Sequence, residues 1–264
     1  MKKILLFFIA LLVSNTSCTQ PNRCPEHFAN GKVPEFINQK LSTRTKLLCF
    51  QGYAVMHSGV THTPLWSAEH LTAERVIESK AMKRQNTFHP EERLPAEDRA
   101  ELRDYARSGF DRGHMSPSGD MPNATTQYES FSLANMIPQD PNNNQNLWAG
   151  IEEGTRKLAL QEGELYVITG PIFEGSSIQR INARVLVPTH VFKVIYDPVR
   201  REAAAYVAPN VGGSEYQTVS LAELERRAGI DLLPSADARI KEAKMDLPEP
   251  TSRGRKMPKP REVE

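Results

Sequence analysis

The sequence predicts an α+β fold, on three observations. Segments rich in β-branched and aromatic residues bracket the helical stretches and do not alternate regularly with them, which argues against a doubly wound parallel sheet. Asn144–Leu160 carries Leu147, Ile151 and Leu158 at helical spacing. Two apolar runs, His190–Tyr196 and Ala203–Val207, flank a turn signal at Asp197-Pro198 and can pair as a hairpin.

Taken in order, residues 1–18 read as a secretory signal: Lys2 and Lys3 precede an apolar run from Ile4 to Val13, too short to span a membrane, and small polar residues follow. Residues 19–45 are polar and read as an irregular arm. Lys46–Ser58 reads as one strand, and Pro64–Glu69 begins a second extended segment that Leu71–Ile77 continues. The alternating Glu and Arg of 96–107 suggest an exposed helix. Gly109 and Gly119 flank Phe110–Pro117 and place His114 in or beside a turn. Leu165–Thr169 is a short strand ending at Gly170-Pro171, and Val185–Val187 is another. Ser220–Ala228 is a helix stopped by Gly229. Residues 248–264 hold four prolines and few apolar side chains, so they read as a disordered basic tail, leaving 46–247 as the folded domain.

The chain is long enough, at 264 residues, to bury a core, and 39% hydrophobic with 25% charged residues excludes collagen-like and wholly disordered classes. The formal charge of +1 becomes −1 once Lys2 and Lys3 leave with the leader. That excludes a strongly basic nucleic-acid coat, though not a small basic site. Three cysteines are present. Cys18 follows Asn15-Thr16-Ser17, which resembles a bacterial lipoprotein box without its usual apolar residue three positions earlier, so a lipid anchor at Cys18 and simple cleavage nearby both stay open. In an oxidising compartment Cys24 and Cys49 would pair; the alternative is two free thiols.

The chemistry concentrates in two places. In Asp111-Arg112-Gly113-His114 the imidazole can act as a general base, Arg112 can clamp an anionic oxygen, and Asp111 can orient the imidazole or hold the loop. An ordinary surface ion pair between Asp111 and Arg112 is the plainer reading. The second place opens the strong helix. At about 100° per residue, Asn144, Glu152 and Arg156 fall near 0°, 80° and 120°, on one flank beside the buried stripe. An amide oxygen with a water-linked carboxylate suits Mg²⁺, which keeps most of its waters. A solvated flank with a Glu152–Arg156 pair is the alternative.

The blocks DRGHM (111–115), LANMIPQ (133–139) and NQNLWAGIEEGTRK (144–157) resemble, in order and spacing, the signatures of the DNA/RNA non-specific endonucleases. The resemblance covers roughly residues 47–235. It implies a ββα-metal nuclease fold with a central, mostly antiparallel sheet flanked by helices. It also implies a Mg²⁺-dependent hydrolase, with Mn²⁺ as a substitute, cutting DNA and RNA with little sequence specificity and leaving 5′-phosphate and 3′-hydroxyl ends. Carried over residue by residue, His114 matches the general base. Asn144 matches the direct metal ligand, and Glu152 the acid holding a metal-bound water. Arg112 and Arg156 match arginines near the phosphate, and Asn135 matches an asparagine supporting the site. Arg84 or Arg93 matches the upstream phosphate clamp, with Arg84 the better placed. The resemblance implies a monomer or homodimer.

Other residues invite other readings. His57, His62 and His70 are loosely grouped, without spacing that suits zinc. Trp66 and Trp148 read as core, and the tail's Arg253, Arg255, Lys256, Lys259 and Arg261 as solvated charges. Together the observations predict an exported nuclease, periplasmic or secreted. The alternatives are a nucleic-acid-binding surface protein with weak or no catalysis and a phosphodiesterase for small nucleotides.

Overall fold

The computed structural model describes residues 24–252 and 255–256; the signal segment and Cys18 lie outside them. The longer elements are the strands β1 (Thr45–Cys49), β2 (Ala54–Ser58), β3 (Thr63–Thr72), β4 (Asp111–His114), β5 (Met136–Gln139), β6 (Glu164–Ile172), β7 (His190–Asp197), β8 (Glu202–Pro209) and β9 (Gln217–Val219). The helices are α1 (Ala73–Ser79), α2 (Ala124–Ser130), α3 (Ala149–Glu162) and α4 (Leu221–Ala228). Seven strands form one antiparallel sheet in the order β9-β8-β7-β6-β3-β2-β1, and β4 pairs with β5 outside it. The fold is α+β, as expected.

The period of two sorts the sheet's side chains onto two cores. Phe192, Val194 and Tyr196 of β7, with Ala203, Ala205 and Val207 of β8, join one core with α4. Val191, Ile195, Ala204, Tyr206 and Ala208 join the other, beneath Ile151 and Leu158 of α3. Trp66 and Trp148 are fully buried, one in each. The hairpin of β7 and β8 is in register from His190↔Pro209 to Asp197↔Glu202.

Several boundaries depart from the sequence reading. Lys46–Ser58 is a hairpin: the chain reverses at Phe50–Tyr53, where Phe50 N–H bonds Tyr53 C=O at 2.9 Å and the two rings stack 4.4 Å apart. Apolar side chains on both sides of so short a turn hide it in the sequence. The second segment ends at Thr72, whose hydroxyl accepts from Arg75 N–H and caps α1, so 73–77 are helical. The helix expected over 96–107 is a single turn, Leu102–Tyr105. Left-handed Arg107 and Gly109 end it, and its charges make long-range ties, Arg44 to Asp98 and Arg184 to Asp104. β6 runs on through Gly170 and Pro171 to Ile172; the proline lies past the last β3 partner, Thr169, where the missing N–H is tolerated. Val185–Leu186 pairs with Arg180–Ile181 outside the main sheet, and Leu186 N–H also bonds Thr61 C=O at 3.0 Å.

The expected arm is packed where it is described. Cys24, Phe28 and Ala29 join the core, Phe28 meets Trp66 edge-on at 5.7 Å, and Glu35–Phe36 pairs with Ile230–Asp231. A Cys24–Cys49 disulfide ties this segment to β1 across 25 residues. The start of the expected tail is ordered as well. Tyr206 Oη donates to Pro248 C=O, and Thr251 lies so close over Gly150 that a Cβ there would fall 2.3 Å from its carbonyl oxygen. Arg253, Lys259 and Arg261 lie outside the described residues.

Candidate active site

His114 ends a strand, and the chain bends directly after it at Met115–Ser116, so it lies beside a turn and not in one. β4 pairs antiparallel with β5, with His114 opposite Met136 and Gly113 opposite Ile137. Only glycine fits at 113, because a Cβ would stand 2.0 Å from Gln139 Oε1. Past β5 the chain enters the site helix through a π-helical turn, Asn143–Trp148, before α3 begins at Ala149. The π turn overrides the uniform 100° step used above, so Asn144 takes its angle from this turn and not from α3. The strand pair followed by a helix is the ββα arrangement.

His114 is 7% exposed, set edge-on to Phe131 at 4.9 Å and tilted against Phe88 at 5.7 Å. Among the described residues its Nε2 has no hydrogen-bond partner. Burial, then the Arg84 and Arg112 guanidiniums, push its pKa down to about 3, so the ring is neutral at ordinary pH. The same cleft, about 540 Å³, is lined by Arg84, Arg112, Asn144, Glu152 and Arg156. Five of the sequence-predicted residues therefore converge on the sixth, His114.

Asp111 does not orient the imidazole. Its Oδ2 accepts from Asn144 Nδ2 and from Gln145 Nε2, each at 2.9 Å. A carboxylate only accepts, so the amide nitrogen of Asn144 is turned to Asp111 and its Oδ1 is left for another partner. Glu152 has its pKa raised by burial, opposed by Lys193 and Arg156. Arg156 Nη1 pairs with buried Asp120 at 2.8 Å. Arg84 donates to Ser118 Oγ at 3.0 Å, and its guanidinium sits 5.1 Å from the Phe131 ring centre. Arg93 is elsewhere, paired with Glu91 and stacked 4.2 Å over Phe50, so Arg84 is the upstream arginine at the cleft. Asn135 is fully buried and does not line the cleft. Its side chain ties Ser116 N–H, Ser116 C=O and Ser130 C=O, which fixes the chain just after His114.

Sequence reasoning missed a buried polar layer under the site. Arg75 pairs with Glu69 at 2.9 Å and donates to Asp120 C=O at 2.7 Å. Lys193 Nζ donates to Thr169 Oγ1 at 2.7 Å, and Ser67 Oγ meets Ser116 Oγ at 2.7 Å. Glu69 and Lys193 could have been found, since a charge inside an apolar strand must be paired. Asp120, a lone acid between Gly119 and Met121 that ends a single 3-10 turn, carried no such signal.

The residues suit a hard cation. Asn144 Oδ1 and the Glu152 carboxylate supply oxygen, and among the described residues no three His, Cys, Asp or Glu converge. An ion held by so few protein atoms keeps most of its sphere as water, the habit of Mg²⁺.

This chain belongs to the DNA/RNA non-specific endonuclease family, whose model matches residues 34–239. It is 32% identical over 207 residues to the mitochondrial nuclease EXOG of Danio rerio, covering 70% of this chain and 60% of that protein. It is 32% identical over 210 residues to the mitochondrial nuclease of Saccharomyces cerevisiae, covering 69% and 64%. It thus spans somewhat over half the length of these relatives. Among solved structures it resembles a chain of the EndoG/EndoGI complex, a structure addressing EndoG inhibition, with TM-score 0.67 and 29% identity over 74% of this chain and 88% of that one.

Proposed function

We propose that this protein hydrolyses phosphodiester bonds of DNA and RNA with little sequence specificity, leaving 5′-phosphate and 3′-hydroxyl ends. The observation that carries this reading is a buried, neutral His114, its Nε2 without a partner among the described residues, in a cleft that also gathers three arginines, Asn144 and Glu152. Neutral His114 takes a proton from the attacking water, and oxygen attacks phosphorus in line with the leaving 3′ oxygen. Arg84, Arg112 and Arg156 offset the charge that grows on the phosphoryl oxygens. Asn144 and Glu152 would hold Mg²⁺, with Mn²⁺ as a substitute; when bound, it supplies Lewis-acid stabilisation of the phosphate and leaving oxygen. Asn135 acts through the backbone that carries His114, and is a positioning residue. All these groups address phosphate, which carries no sequence information, so both sugars are accepted.

We infer export as the route, supported by the Lys2–Val13 pattern and by a disulfide between Cys24 and Cys49, which an oxidising compartment favours. The test of the activity is digestion of supercoiled plasmid and ribosomal RNA by the purified protein with Mg²⁺, with EDTA, and with His114→Ala. Metal-dependent loss of both substrates, absent in the variant, is expected. Intact substrates with gel-shift binding would move the reading to a binding protein.

A further inference from the structure

The segment matched by the family ends at residue 239, and the chain beyond it crosses the helix that carries the site. Met245 N–H bonds Ala203 C=O of β8 at 3.1 Å, and Met245 and Leu247 join the core beneath α3. Tyr206 Oη donates to Pro248 C=O. From there the chain runs back along α3 towards its start. Pro248 faces Gly154, Thr251 faces Gly150, and Thr251–Ser252 comes alongside the π turn Asn143–Trp148. At about 100° per residue Gly150 and Gly154 form one line on α3, with Glu152 and Arg156 roughly opposite. The sheet holds the side between them, through Ile151 and Leu158.

The two glycines differ in what they allow. Glycine weakens a helix relative to alanine, so each calls for a reason. A Cβ at 154 would meet Pro248 Cβ at 3.6 Å, an ordinary contact. A Cβ at 150 would stand 2.3 Å from the Thr251 carbonyl oxygen and 3.0 Å from its backbone carbon and nitrogen. Those are main-chain atoms and cannot swing aside as the end of a long side chain can. The crossing segment therefore bears hardest on the first turn of α3, next to the π turn. π winding is rare and occurs mostly as a single turn within an α-helix, so tertiary contacts must hold it. Gln139 and Pro209 hold Asn143, and Asp111 holds Asn144.

Resting on the nuclease reading above, we propose that residues 245–251 are a strap that keeps the π turn wound, with Pro248 and Thr251 as positioning residues for Asn144. Neither lines the cleft. They act through the turn that aims the Asn144 amide, from a part of the chain outside the family's matched segment.

The test uses three single variants of the full chain, purified free of metal. Gly150→Ala forces the strap away. Tyr206→Phe removes its hydroxyl anchor and keeps the ring. Gly154→Ala adds the same methyl where it fits. Amide hydrogen exchange across 143–148 should quicken on the order of tenfold in Gly150→Ala, and in the same direction in Tyr206→Phe, with no change in Gly154→Ala. Mn²⁺ binding, read by electron paramagnetic resonance, should weaken about tenfold in Gly150→Ala and keep its wild-type value in Gly154→Ala. A segment serving stability alone would lower the melting temperature and leave both readings unchanged in the folded protein. Wild-type exchange in folded Gly150→Ala and Tyr206→Phe would overturn the strap, as would equal effects of Gly150→Ala and Gly154→Ala. If Gly150→Ala does not fold, Tyr206→Phe against Gly154→Ala decides. Faster exchange with unchanged Mn²⁺ binding would overturn the link to Asn144. Failure of the nuclease reading shows separately, as plasmid and RNA left intact by the wild type in the Mg²⁺ digestion while the exchange pattern holds.

Discussion

The Asp111 carboxylate accepts a 2.9 Å hydrogen bond from the Asn144 side-chain amide, joining the strand that carries His114 to the π turn that opens the site helix. The bond decides which end of the amide faces the cleft. Asp111→Asn should lose that control. The Mg²⁺ concentration for half-maximal nuclease activity should rise about tenfold, in line with the loss of an outer partner of a ligand. An unchanged Mg²⁺ titration would mean that Asn144 is not the ligand or does not need Asp111.

His114 links stability to pH. Its folded pKa, about 3, is below the unfolded value of about 6.5. Between these the unfolded chain binds a proton that the folded chain refuses, so stability falls as pH falls through this window. At pH 5 this one group should cost on the order of 2 kcal/mol relative to pH 8. His57, whose pKa burial also pushes down to about 4, acts in the same direction. The comparison therefore needs His114→Gln as reference. Urea unfolding of the metal-free protein at pH 5 and 8 should give the variant the shallower pH dependence; equal slopes would exclude a buried neutral histidine at 114.

Arg156 owes its place to Asp120, whose carboxylate is 3% exposed. Burial works against the Arg156 charge, and Asp120 with Glu152 more than offset it. Asp120→Asn should destabilise the fold by roughly 2 kcal/mol, part of the loss seen when one partner of a buried pair is removed. It should also lower kcat/KM on plasmid about tenfold. A melting curve and a rate that both match wild type would show that Arg156 finds its position without Asp120.

The Cys24–Cys49 bridge closes a 25-residue loop and holds Phe28 against Trp66. Replacing both cysteines with serine should cost about 3 kcal/mol by loop-closure entropy. It should leave cleavage at 25 °C near the wild-type rate, since neither cysteine lines the cleft. A full loss of nuclease activity in folded protein would place the N-terminal segment closer to the chemistry.

Which residues share the candidate site was more legible in the sequence than the elements that carry them. His114, Asn144, Glu152 and Arg156 stood out through the resemblance of their blocks to the family's; helical spacing alone holds for Glu152 and Arg156 and fails for Asn144, which the π turn places. The placement of Arg84 over Arg93 was a long-range matter, decided by Ser118 and Phe131, residues far along the chain. The turn at Phe50–Tyr53 and the strand at Asp111–His114 were missed for the same reason. Local composition suggested a continuous strand in one and a turn in the other, while the actual partners, Val55 across from Leu48 and Met136 across from His114, set the outcome. The short helix at Leu102–Tyr105 failed in the opposite way: its charges suited a solvated helix, yet Asp104 is buried against Asn182 and Arg184.

The π turn at Asn143–Trp148 gives the site helix two independent settings. Glu152 and Arg156, four residues apart on α3, rotate together as one rigid piece. Asn144 is indexed separately, by how widely the turn before them is wound. Deleting a single residue there would restore the ordinary winding and swing Asn144 by about 100° while α3 stayed seated on the sheet. A one-residue deletion between Asn144 and Trp148 would therefore disable the site in a chain that still folds.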